Sequence, residues 1–162
     1  MEELDLLVKL QAIDSEKAVM RKREGEIPQD IRSLEAEIAK REGEIQKEEE
    51  RIEEDKKRRR LLEFDLDASN ETVRRYQRQL LEVKSNKEYT ALLHEIEGEK
   101  EKVSKLEEEV LILMEEIDEV AKKVVVSKQD LEKERSSCGE RKRLLEAELA
   151  TVTEGIAVKD DE

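Results

Sequence analysis

The sequence predicts an all-α protein, a long antiparallel coiled-coil hairpin with a helix break near Pro28 and a three-helix base. Three observations carry this. The composition excludes a compact core, since 48% of the 162 residues are charged and 2% aromatic, with one Pro and no Trp. Ordinary globular domains hold roughly 25% charged residues and many more aromatics. Two heptad frames cover most of the chain, and a short polar knot separates them. What composition leaves is disorder or long helices that each bury a narrow stripe, and the regular spacing of Leu, Ile and Val decides for helices.

The first frame has Ile31, Ile38, Ile45, Ile52, Arg59, Leu66, Val73 and Leu80 at position a. Its d series runs Ile27, Leu34, Arg41, Glu48, Asp55, Leu62, Ser69, Tyr76, Val83, and it extends back through Met20, Ile13, Leu10 and Leu6. The second frame places Tyr89, Ile96, Val103, Val110, Ile117, Val124, Leu131, Cys138, Leu145 and Val152 at a. Its d series, Leu92 to Glu148, is more mixed. Each is a sustained seam. Val83 and Tyr89 are six residues apart, a spacing neither frame absorbs, so "KSNKEY" is a true break. Ser85 or Asn86 can cap the second helix, because their side chains accept hydrogen bonds from its free N–H groups. Two similar helices joined by a few residues fold back on each other.

With Val83 opposite Tyr89, facing residues carry numbers that total 172. Arg41 then faces Leu131, Glu48 Val124, Asp55 Ile117 and Arg59 Leu113, while Glu134 faces Ile38 and Arg141 faces Ile31. Each polar seam residue meets an aliphatic one, over which its stem can lie with the charge in water. A parallel in-register homodimer would set Arg59, Glu48, Asp55 and Glu134 against their own copies, which repels. The exception to the hairpin pattern is Glu24 opposite Glu148.

Pro28 costs ~3 kcal/mol inside a helix but is tolerated in its first turn, so "REGEIPQDI" ends one helix near Glu24 and starts another at Pro28, or else kinks a continuous one. The apolar density of "LDLLVKLQAI" exceeds what a two-stranded seam needs. Packing it on Leu144, Leu145, Leu149 and Val152 gives the three-helix base. The expected divisions are an N-terminal helix (1–26), a first arm (27–84), a tip (85–88), a second arm (89–152) and a frayed tail (153–162).

A net charge of −13 opposes nonspecific binding to nucleic acid or anionic membrane. No apolar run nears the ~20 residues of a membrane span, and the acidic N-terminus is no secretory signal. A cytoplasmic protein is expected. The run "DKKRRR" (55–60) reads as one side of cross-helix charge pairing rather than a nucleic-acid patch. Cys138 sits at a as a small apolar group; His94 faces outward with no second His or Cys pair to build a metal site. No catalytic constellation or phosphate loop is present, so a non-enzyme without cofactor is expected.

Two surfaces stand out for partners. Leu61 and Phe64 at c and f, with Leu111, Ile112 and Met114 at b, c and e, lie off the seam and at matching levels, so a single mid-arm apolar patch is expected. Such patches mark a partner site or self-association; a covering third helix, or local widening of the seam, is the bland alternative. At the tip, Asn86 is expected to cap, Lys87 and Glu88 to offer polar contacts, and Tyr89 to close the last layer, although turns and end layers need such residues for structure alone.

"VKSNKEYTALLHEIE" (83–97) closely resembles the hairpin-tip signature of a bacterial C4-type zinc-ribbon family, in which a long coiled coil precedes a four-cysteine zinc ribbon. "LVKLQAIDSE" and "EIPQDIRSLEAEI" are similar to that family's N-terminal pattern. The resemblance implies an antiparallel hairpin and protein partners such as a nitrogen-type sigma factor or a component of flagellar or type III secretion. The ribbon's two CxxC pairs are missing, so zinc is implied only if such a ribbon follows. The expected function is a coiled-coil adaptor binding protein partners. The alternatives are a transcription factor whose hairpin enters the RNA polymerase secondary channel, and a structural oligomeric rod or chaperone. The polymerase mechanism needs acidic residues at the tip, where Lys84 and Lys87 flank Glu88.

Overall fold

A computed structural model describes residues 1–162 as two long helices, α1 (Glu2–Leu80) and α2 (Asn86–Asp161), packed against each other as a helical hairpin. Contacts group into two compact units, Ile45–Val126 and a second made of Met1–Glu44 with Ser127–Glu162. No helix is long and apolar enough to cross a membrane.

In the unit Ile45–Val126, Ile52, Leu113, Ile117, Val120 and Val124 form one buried cluster, with Ile45, Leu62 and Ala121 packed on it. All but Ala121 are a or d residues. Ile52 and Val120, facing residues by the 172 register, are both members. Val73, Ile96 and Ser69 are buried nearer the turn. Arg59, a polar residue at a seam position, is half-buried; its Nε is shut off from solvent without a hydrogen-bond partner and is balanced only by the Glu63 carboxylate, Oε1 3.6 Å away.

In the unit Met1–Glu44 with Ser127–Glu162, the buried residues are Ile27, Leu131 and Leu145. Ile27 and Leu145 again total 172. Lys142 Nζ lies 2.8 Å from Glu35 Oε1, and Arg135 pairs with Glu42. All four are e residues, and each pair totals 177, five beyond the facing register. That offset has a physical cause. Every side chain leans toward the N-terminus of its own helix, so in antiparallel helices residues displaced in this sense lean toward each other. Exposed pairs of this kind are individually weak, screened by solvent, and together favour one alignment of the helices.

Three expectations are corrected in this unit. There is no helix break at Pro28: α1 runs through it, so there is no separate N-terminal helix and no three-helix base. Ile27, beside the proline, is fully buried, and burying an Ile side chain yields about 1.5–3 kcal/mol, enough to offset most of the ~3 kcal/mol proline penalty. The "LDLLVKLQAI" segment does not pack on the base; Leu4, Leu6, Leu7, Val8 and Leu10 are exposed, as is Leu144. In the 172 register the last helical residue of α2, Asp161, lies level with residue 11, so no helix lies across them. Residues 153–161 are helical rather than frayed, with Gly155 against Met20, Lys17 paired with Asp160, and Lys159 Nζ 2.9 Å from Glu16 Oε2.

Polar seam residues also find each other. Arg41 Nε lies 2.8 Å from Glu134 Oε2, so these two satisfy one another instead of each lying alone over an aliphatic neighbour. The expected Glu24–Glu148 opposition is relieved because Glu148 takes a two-pronged bond from Arg23, at 2.6 Å from Nε and 2.9 Å from the terminal nitrogen. Arg23 also reaches Asp30 at 3.3 Å. The Arg23 hydrogen bonds hold the Glu148 carboxyl below the usual glutamate range, outweighing its desolvation. A carboxyl depressed in the folded state stabilises above its unfolded pKa and loses that contribution as pH falls through the folded value. Glu148→Gln should therefore lower the melting temperature at pH 7, and the gap from the unsubstituted protein should narrow as pH falls below the usual glutamate range and the carboxyl takes up its proton. Thermal melts across that range, followed by circular dichroism, check this.

Candidate interaction surfaces

At the turn, the last backbone turn of α1 tightens, with Leu81 N–H donating to Arg78 C=O (3.2 Å) and Glu82 N–H to Gln79 C=O (3.0 Å). No residue takes a positive φ, and the connection Leu81–Ser85 contains no glycine. Ser85 then caps α2: its Oγ accepts from Glu88 N–H at 3.2 Å, and its C=O from Tyr89 N–H at 3.1 Å. "SNKE" is thus the Ser-x-x-Glu pattern of a capping box, here with its serine arm formed. The expectation that Asn86 caps is corrected. It is the first helical residue, and its C=O accepts from Thr90 Oγ1 at 2.8 Å.

Asn86, Lys87, Glu88 and Tyr89 are all exposed. Tyr89 is 45% exposed, so it covers the end layer only in part, with Val83 half-buried. An open groove along the start of α2 is lined by Asn86, Lys87, Thr90, Leu93, His94 and Lys100. Leu81, 87% exposed, stands beside the turn. Leu81 and Leu93 are surface features that the seam did not reveal. Their signal is the doublet: Leu80-Leu81 and Leu92-Leu93 each put one member on the seam and, 100° around the helix, the other off it. Leu61-Leu62, Leu111-Ile112 after Val110, and Val125-Val126 after Val124 repeat the pattern.

All five mid-arm residues are exposed, Phe64 most of all at 72%. They do not form one patch. In an antiparallel pair the e positions of the two helices share one flank and the g positions the other. Leu61 and Ile112, both at c, belong to the g flank at nearly the same level. Leu111 at b and Met114 at e belong to the e flank, and Phe64 at f points away from α2. The two flanks differ in openness. On the e flank Lys56, Glu63, Asn70 and Ala121 are half-buried, whereas Arg51, Arg58, Asp65, Glu109 and Glu116 at g are exposed.

No group of three or more His, Cys, Asp or Glu side chains is arranged to hold a metal ion. No family model, curated protein or solved structure matches the chain.

Proposed function

We propose that this chain is a non-enzymatic adaptor, a helical hairpin that offers its tip and its mid-arm surface to protein partners. The observation that carries the reading is the large apolar side chains standing exposed on an otherwise charged surface, Leu81 and Leu93 by the tip and Leu61 with Ile112 at one level of the mid-arm. Exposed apolar side chains grouped among charges suit protein contact. The tip resemblance directs the choice of partner to a nitrogen-type sigma factor or a secretion component in the bacterial cytoplasm. Entry into the polymerase secondary channel is the weaker alternative, because Lys84 and Lys87 offset the acidity of Glu82 and Glu88.

Titrating purified nitrogen-type sigma factor against the chain, and against a variant with Asn86→Ala and Tyr89→Ala, tests this reading. Ser85 supplies the cap, so the double variant should keep its helicity while its affinity falls at least about tenfold, the scale of losing one interface anchor. Equal affinities would remove the tip from the reading. Absence of binding by the unsubstituted chain would remove that partner.

A further inference from the structure

Within the unit made of Met1–Glu44 with Ser127–Glu162, full burial stops at Ile27 and Leu145; no residue before the first or after the second is buried. Beyond that point the 172 register sets Glu24 against Glu148, Met20 against Val152, Lys17 against Gly155 and Ile13 against Lys159. Of these layers only Met20 with Val152 is apolar on both sides. What joins the two helices here is charge. Arg23 grips Glu148 with two nitrogens, Lys17 pairs with Asp160, Arg21 lies 3.8 Å from the same carboxyl, and Lys159 Nζ lies 2.9 Å from Glu16 Oε2. The hydrogen bond from Lys17 holds the Asp160 carboxyl below the usual aspartate range. Each of these pairs is open to water on at least one side, where ion pairs are weak and salt screens them.

The same segment of α1 begins where its backbone is weakest. Pro28 has no N–H to offer the Glu24 carbonyl, and Gly25, in the turn before it, is a poor helix former. Arg23 bridges this point to Asp30 at 3.3 Å, but that ion pair is exposed as well. We propose that residues 2–24 form a strap, held on α2 by charge, which swings away about Gly25 while Ile27 stays packed. Local opening belongs to segments that few apolar contacts hold. It uncovers Leu149, Val152 and Ile156, half-buried side chains at helical spacing on α2. The strap therefore gates an aliphatic stripe, and salt sets how often the gate stands open. Neither the tip nor the mid-arm takes part, so the strap and the adaptor reading fail separately.

The test is a distance measurement by double electron–electron resonance on the full chain. Spin labels go on Ser15→Cys and Ala157→Cys, exposed positions at one level, with Cys138→Ser removing the native thiol. A control chain carries its labels on Glu54→Cys and Asp118→Cys, exposed and at one level of the unit Ile45–Val126. The strap pair should show a short distance with a minor long component. The share of the long component should rise at least about threefold between 0.1 and 1 M sodium chloride, as the screening length falls from ~10 to ~3 Å. Glu148→Gln with Asp160→Asn should raise that share by at least about threefold in 0.1 M salt, because the carboxylates that hold the strap are gone. Pro28→Ala should lower it, because alanine restores the N–H that the Glu24 carbonyl lacks. The control pair should stay at its short distance throughout. A single short distance for the strap pair in every condition, a long share indifferent to salt, to the two carboxyl substitutions or to Pro28→Ala, or equal lengthening of the control pair would each overturn the proposal.

Discussion

Leu113→Ala should destabilise the hairpin by about 2–4 kcal/mol. Leu113 is 4% exposed and sits in the cluster formed by Ile52, Ile117, Val120 and Val124. Truncation removes its transfer free energy and leaves a void that long helices, held on both sides by further seam layers, close only in part. Urea denaturation followed at the helical circular dichroism band measures the loss. Leu111→Ala, two residues away but exposed, is the control and should stay within about 0.5 kcal/mol. Equal effects at the two positions would mean that the seam is misassigned.

Pro28→Ala should stabilise the protein by about 2 kcal/mol. Proline inside α1 removes the N–H that would bond to the Glu24 carbonyl and crowds that carbonyl with its ring, a penalty of about 3 kcal/mol against alanine. Up to ~1 kcal/mol of the gain is returned because alanine frees the unfolded chain. The proline survives in mid-helix because the helix is tied on both sides of it. Ile27 is buried, Arg23 reaches forward to Asp30, and Arg32 Nε donates to the Pro28 carbonyl at 3.2 Å. The same denaturation measurement checks the sign; a drop in stability would mean that the proline shapes a bend on which packing depends.

The hairpin was legible because its information is periodic. Apolar residues at a and d recur often enough to fix helix, face and register together, and Ile52 with Val120 or Ile27 with Leu145 are buried as that register requires. Single-residue events were less legible. Pro28 signals a break locally, but a break is a contest between one local penalty and tertiary burial that spans the chain. Ser85 and Asn86 are near-equal caps by propensity, and backbone geometry decides between them. The end segments failed for another reason: composition shows that Leu4 to Leu10 are apolar, not whether a helix lies across them. The mid-arm patch dissolves because residues at one level can stand at different angles around the helix, and that angle sends Leu111 and Ile112 to opposite flanks.

The short glycine-free connection between α1 and α2 has a consequence for how such a chain can vary in length. Sliding one helix along the other by a heptad, about 10.5 Å, would demand slack that Leu81–Ser85 does not hold. Within the paired part of the helices, an insertion or deletion that keeps both seams in phase is therefore a matched pair of heptads, one in each helix at the same distance from the turn. The paired arm is thus expected to lengthen or shorten by about two heptads at a time, one on each helix, while the unpaired start of α1 carries no such constraint.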